Sequence, residues 1–159
     1  MTTQQFFLVQ PDIVPDIWYE VKPLIDKVLT LDHFSSMTST DALRMILNSR
    51  QQLWVGVEDD SIFTAVLTEL TNYPRNKALR VITWSTVTGY GYDNWITLIV
   101  DTLKQFGNDN ECSVLEAWCR EGLAKKLNWE QQAIVVTTSI KPKQQQQQRK
   151  RRRRTKSNG

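Results

Sequence analysis

The chain has 159 residues, with 20 Lys+Arg against 17 Asp+Glu, one His and two Cys. That length suits one domain with a core of its own, followed by whatever cannot pack. No apolar run reaches the roughly 18 residues of a membrane span, and the polar start Met1-Thr-Thr-Gln-Gln is not that of a signal peptide.

Charge divides the chain in two. Residues 141–159 carry nine basic residues and no acidic one: Lys141, Lys143, Arg149, Lys150, Arg151, Arg152, Arg153, Arg154 and Lys156. The remaining 140 residues keep 11 basic against 17 acidic residues, a net of −6. Apolar residues are spread along the whole of that acidic part. The expected organisation is therefore a globular domain over 1–140 and a tail over 141–159 that has nothing to bury and stays disordered.

Phe6-Phe-Leu-Val-Gln10 reads as a first short strand, punctuated by Pro11 and Pro15. Ile17, Val21, Leu24, Val28 and Leu31 have helical spacing, with Pro23 expected to kink that helix or start a second segment. Ser39-Thr40-Asp41 starts another helix, whose buried stripe is Ala42, Leu43, Ile46 and Leu47. Residues 52–58 form a strand. Asp59-Asp60-Ser61 turns into a second strand over 62–70, making a hairpin. Asn72-Tyr-Pro-Arg-Asn76 is a loop, and 78–87 is a third strand rich in β-branched residues. Asp93 or Asn94 caps a helix from about Trp95 to Phe106, with Gly107 fitting the position past its end. Val114 to Cys119 is apolar on both faces except at Glu116, as expected of a central strand covered on both sides. A short basic helix over 120–129 and a last strand over 132–140 complete the series.

The order is β, α, α, β, β, β, α, β, α, β. A strand–helix–strand unit implies a parallel pair, and the hairpin run implies antiparallel neighbours. The expected fold class is α/β: one mixed sheet of about six to seven strands with helices on both faces.

This order is similar to the GNAT acyltransferase fold over about residues 5–140. In that family the loop after the strand preceding the third helix grips the pyrophosphate of acetyl-CoA through backbone N–H groups and the helix's positive end. The resemblance places that loop at Thr86-Val-Thr-Gly89-Tyr90-Gly91, running into Asp93, with Thr88, Gly89, Tyr90 and Gly91 as cofactor-binding positions. A closer resemblance is to small GNAT-like proteins of tailed phages. It rests on Gln52-Leu-Trp-Val, Thr68-Glu-Leu-Thr-Asn-Tyr-Pro-Arg, Lys77, the Gly89 loop followed by Trp95, and Glu116-Ala-Trp-Cys-Arg-Glu-Gly-Leu-Ala-Lys-Lys-Leu127. It implies an internal virion protein of short-tailed phages, acting in core assembly. The location would be the virion interior or the host bacterial cytoplasm, and the partners virion or assembly proteins.

The chain departs from the family's catalytic pattern. The signature is Arg or Gln, two residues, Gly, one residue, Gly or Ala; Thr86 stands at its first position, and Asp93 sets a carboxylate beside the phosphate site. Without a cofactor, Gly89 and Gly91 read simply as a tight strand-to-helix turn. The Tyr that many members use as general acid is replaced by Asn128, which cannot supply a proton. The strand over 80–87 holds no acid, so Glu69 and Glu116 are the candidate catalytic bases. Set against those roles, Glu69 reads as a solvated carboxylate and Glu116 as a structural partner of Arg120 or Arg80.

Other chemistries find little footing. His33 is the single histidine, in a helix-end junction. No Cys/His spacing suits zinc, and neither phosphate-loop nor dinucleotide glycine motifs occur. Cys119 has no evident base and reads as a buried thiol. Cys112 and Cys119 on one strand would lie about 23 Å apart, too far for a disulfide.

The tail is a binding device for a polyanion. Arg149, Lys150, Arg151, Arg152, Arg153, Arg154 and Lys156 can neutralise nucleic-acid phosphates without reading sequence, with Gln144 to Gln148 as a spacer. Read as a merely solvated charge run, the same residues would do nothing. Three functions remain open. The first is a catalytically degenerate GNAT-like phage protein that requires no cofactor and binds nucleic acid through its tail. The second is an active acetyl-CoA-dependent N-acyltransferase modifying a host or phage amine. The third is a non-specific nucleic-acid-binding accessory protein.

Overall fold

The computed structural model describes residues 4–30, 37–87, 95–119, 121–134, 136 and 138–140. The chain divides into two compact units, Met1–Asn128 and Trp129–Gly159. The first contains every regular element of the described residues, in the order β1 (Gln4–Leu8), α1 (Val14–Leu29), α2 (Ser39–Leu47), β2 (Gln52–Glu58), β3 (Ser61–Asn72), β4 (Lys77–Thr86), α3 (Ile96–Asp109), β5 (Val114–Ala117) and α4 (Glu121–Leu127). The second has no regular element among its described residues.

The five strands among the described residues form one sheet in sequence order, fewer than the six to seven expected. β1 to β4 are antiparallel neighbours, and β5 joins β4 in parallel across the α3 crossover. The β2–β3 hairpin closes through Asp59 (φ 48°) and Asp60 (φ 66°). Two successive positive φ values are those of the tight turn whose twist matches its strands, and Asp tolerates them.

Alternation along the strands sorts two layers. Leu53 and Val55 on β2, with Ala65 and Leu67 opposite them on β3, bury against Val14, Val21, Leu24, Ile25 and Leu29 of α1 and against Ala42 and Ile46 of α2. Trp54, between Leu53 and Val55, faces the other way. It stacks on Phe6 (5.7 Å between ring centres) and meets Phe106 of α3 edge-on at 5.1 Å. Phe63 packs at 3.9 Å on Trp95, at the start of α3. The mixed α/β sheet with helices on both faces therefore forms as its periodicities demand.

Several local expectations are corrected. α1 is continuous through Pro23. Pro23 lies on the solvent side of the helix with Tyr19, so the carbonyl deprived of a donor is on the wet face. Gly107 lies inside α3, which continues to Asp109. A Cβ there would meet Cys112 Cβ at 3.6 Å and Leu79 Cβ at 3.8 Å, ordinary contact distances, so the packing does not demand a glycine. β5 is a four-residue edge strand among the described residues, with Val114 exposed, and not a central one. The described residues of the expected last strand, 132–134, 136 and 138–140, are in no strand, and Ile134, Val136 and Ile140 are exposed. Their β-branched composition marks strand propensity, but propensity without a partner fixes nothing.

Candidate functional site

The site grows from a break in the sheet. β4 and β5 pair only from Ala78 opposite Val114 to Val81 opposite Ala117. β4 then runs on to Thr86, while the chain after Ala117 leaves the sheet. The β3–β4 register shifts at the same level: Leu67 faces Thr83, but Thr68 faces Val81, so Ile82 is an extra residue. A bulge of this kind bends and twists its strand. From Ile82 to Thr86, β4 thus has no strand on its β5 side among the described residues.

This stretch concentrates unmet polar capacity. Thr83 Oγ1, Trp84 Nε1 and Ser85 Oγ are buried without a hydrogen-bond partner, three of the five such atoms among the described residues. Buried hydroxyls and indole N–H groups are normally satisfied, so three in a row on one strand mark an unusual place. At its end, Lys27 Nζ donates to the Thr86 carbonyl at 3.3 Å, tying α1 to β4.

One residue before the break stands Arg80, with three nitrogens engaged. Its Nε donates to Glu116 Oε1 at 3.0 Å, Nη1 to Glu69 Oε1 at 3.4 Å and Nη2 to Tyr73 Oη at 2.8 Å. Tyr73 Oη in turn donates to Glu116 Oε1 at 2.7 Å. The guanidinium lies 4.2 Å from the ring centre of Trp118. Register explains the convergence, since Arg80 faces Glu69 on β3 and Glu116 on β5. Burial disfavours the charge on Arg80, but the bonds to Tyr73 and Glu116 outweigh it and hold the group firmly cationic. Beside this cluster lies a groove of about 470 Å³, lined by Tyr73, Pro74, Arg75, Asn76, Ala78, Val114 and Glu116.

The structure brings Glu69 and Glu116 together through one arginine. Glu116 has Arg80 as its partner, and Glu69 is only partly exposed and shares that arginine. Sequence reasoning passed over Tyr73, placing it merely in a loop; its backbone pairs with Asn76, four positions beyond the Arg80–Glu69 pair, and only its long side chain carries Oη back to Arg80 and Glu116. Asn128 ends α4 with a left-handed backbone (φ 54°), its N–H on the Ala124 carbonyl. That conformation suits Asn at a helix end. Cys112 and Cys119 are free thiols, and partial burial pushes the pKa of each up; Cys119, expected as a buried thiol, is instead an exposed residue, because the chain leaves the sheet after Ala117. Thr88, Gly89, Tyr90, Gly91, Asp93, His33, Arg120 and the whole basic tail, including Arg149, Lys150, Arg151, Arg152, Arg153, Arg154 and Lys156, lie outside the described residues. Among the described residues no group of three or more His, Cys, Asp or Glu could hold a metal ion, and no helix is long and apolar enough to cross a membrane.

No known family profile and no curated protein matches the chain. Solved structures do match it over most of its length. An aminoglycoside acetyltransferase from an uncultured soil metagenomic sample, in complex with sisomicin, superposes with a TM-score of 0.67 at 10% identity, covering 87% of this chain and 97% of that one. This chain has the GNAT acetyltransferase fold. The aminoglycoside N-acetyltransferase AAC(6')-Iy, in complex with CoA, gives 0.65 at 7% identity, over 89% and 97% of the two chains. A GNAT family acetyltransferase from Staphylococcus aureus gives 0.62 at 8% identity, over 87% and 99%.

Proposed function

We propose that this chain is an acetyl-CoA-dependent N-acyltransferase acting on an amine. The observation that carries this reading is the parting of β4 from β5 after Val81 and Ala117. A free strand edge offers alternating N–H and C=O groups, and a linear ligand with its own amides can bond to it as a strand would. The pantetheine arm of coenzyme A is such a ligand. The chain's own residues fit it, because buried polar atoms without partners cluster on this stretch of β4. Acetyl-CoA supplies an acyl group activated as a thioester.

Residues 82–86 would align the arm, and Thr88, Gly89, Tyr90 and Gly91 would receive the pyrophosphate, as the family resemblance implies. Glu69 and Glu116 stand beside the point where the strands part, in position to meet an acceptor amine. The solved structure of a GNAT-fold enzyme with CoA supports the cofactor assignment. Calorimetry tests it. Micromolar binding of acetyl-CoA that Gly91→Trp abolishes, together with thiol release in the presence of an amine, supports the reading; no heat at millimolar ligand ends it.

A second reading has its own observations. Arg80 holds both candidate carboxylates, as in a structural ion-pair network, and the tail is strongly cationic. Together these favour a catalytically degenerate protein bound to nucleic acid by its tail; that it belongs to a phage virion interior is only what the family resemblance implies. Tail contacts with six to eight phosphates would give a log–log salt slope of roughly −5 to −7 on duplex DNA. Loss of that slope on deleting 141–159, with the protein present in virions or assembly intermediates, would support it. A body that still finds a protein partner without the tail would separate it from a plain nucleic-acid-binding accessory protein.

A further inference from the structure

Glu116 and Glu69 share one guanidinium, but not equally. Glu116 Oε1 accepts two hydrogen bonds, from Arg80 Nε and Tyr73 Oη, and its Oε2 takes neither. Arg80 cannot swing aside without also releasing Glu69, Tyr73 and the Trp118 ring. Glu116 is thus clamped through one oxygen, while the residue lines the groove beneath the β3–β4 hairpin.

Resting on the transferase reading, we propose that Glu116 recognises the acceptor's ammonium group, oriented for that role by Arg80 and Tyr73, and does not act as the base. A base must give up its charge when it takes the proton. For Glu116 that would undo the pairing with Arg80 and leave the guanidinium to Glu69 at 3.4 Å. Binding an ammonium leaves every one of those bonds in place. Two carboxylates against one guanidinium leave one negative charge at the cluster, the complement of an ammonium. The other charged residue of the lining is Arg75, exposed on the hairpin. Pro74, Ala78, Val114 and the Tyr73 ring give the groove apolar walls suited to an alkyl chain. Arg80 and Tyr73 are positioning residues: they act through Glu116.

The acceptor then loses its proton to solvent before attack. Its nitrogen forms the C–N bond to the acyl carbon, the C–S bond breaks, and the electron pair leaves on sulfur. The proton that the nitrogen sheds on becoming an amide goes to that sulfur. The net result is amide, thiol and one proton released. With no internal base, the acid limb of the rate profile belongs to the acceptor.

The test uses the full chain. Putrescine binding is measured by calorimetry in wild type and Glu116→Gln, and kcat and KM are followed against pH with putrescine and with glycinamide. Alkyl and α-amino groups differ by about 2.5 pKa units, so the two acid limbs of kcat/KM, which report the free acceptor, should be displaced by about that much. Glu116→Gln should weaken putrescine binding and raise acceptor KM by about tenfold or more, with kcat within about threefold. Arg80→Lys, which keeps the charge but loses the fork, should fall between. One midpoint shared by both acceptors, or a kcat loss of about 100-fold in Glu116→Gln at unchanged KM, overturns the proposal. If no acceptor is acetylated, the transferase reading fails by itself. The binding arm then still decides the recognition role: Glu116-dependent putrescine affinity keeps it, and equal affinity in both proteins ends it.

Discussion

Trp54 Nε1 donates to Thr68 Oγ1 at 2.9 Å, and Thr68 Oγ1 donates to Gln52 Oε1 at 2.9 Å. The relay runs along the α3 side of the sheet, between β2 and β3. It lets the most engaged aromatic of that layer, held between Phe6 and Phe106, bury its one polar atom. Thr68→Val keeps the shape and removes the acceptor, stranding a buried indole N–H. The expected loss is about 1–3 kcal/mol of stability, read from the urea midpoint at unchanged slope. Thr68→Ser should recover most of it.

Gly56 sits where β2 and β3 change register, the shift falling between Gly56 and Val57. A Cβ there would lie 2.5 Å from Thr64 Cγ2 and 2.6 Å from Phe63 Cζ. Phe63 is fully buried against Trp95 and cannot retreat. Gly56→Ala should therefore destabilise by about 1–3 kcal/mol, as overpacking does. The paired change Gly56→Ala with Phe63→Leu should restore part of the loss, because the two sites share one volume. Strict additivity in thermal unfolding would refute the contact.

The legibility of this chain follows the range of the interactions. The β2–β3 hairpin was readable because Asp59-Asp60 is a local signal between two apolar runs, and α2 because a capping residue precedes its apolar stripe. Thr38, one residue before the expected start, makes the full capping box with Asp41. Gly107 was misread because a glycine near a helix end looks the same whether it stops the helix or lies within its last turn; here the helix runs on to Asp109 and closes at Asn110, whose N–H bonds the Phe106 carbonyl. Val114 to Ala117 was read as central from its apolarity, yet edge or centre depends on whether another strand arrives. At the site, Glu69 and Glu116 were found as the acids near the resembled catalytic strand. Their common tether to Arg80 and Tyr73 depended on strand register, which no local pattern encodes.

Asp26 gives the fold a small acid sensitivity. A hydrogen bond from Lys22 holds its carboxyl below the ordinary range, burial works against this, and Ser39 adds a weaker contribution in the same direction. The pair is 2.8 Å long and joins successive turns of α1. A carboxyl lowered in the folded state stabilises fully above its unfolded value, near 3.9, and the contribution fades as pH falls through the lowered folded value. Both side chains are substantially exposed, so Lys22→Ala should lose only about 0.3–0.5 kcal/mol at pH 7. The difference from wild type should shrink below about pH 4. A difference that grows toward acid would reverse the sign of the argument.

Thr83 and Ser85 separate stability from function. Each buries a hydroxyl with no partner among the described residues, beside the edge of β4 that β5 leaves free. A hydroxyl held this way works against the fold, since the unfolded chain hydrogen-bonds it to water. Thr83→Val removes the unmet group at nearly constant volume and should leave stability unchanged or raise it by about 1 kcal/mol. Ser85→Ala should behave alike, less a small packing loss. If the polar stretch exists to meet a ligand, the same variants should bind acetyl-CoA less tightly, by about three- to tenfold for each lost hydrogen bond. A gain in melting temperature together with weaker calorimetric binding is the pattern of a strand kept partly unsatisfied for use. Variants that gain stability and bind the cofactor as wild type does would show that these hydroxyls serve neither the core nor the cleft.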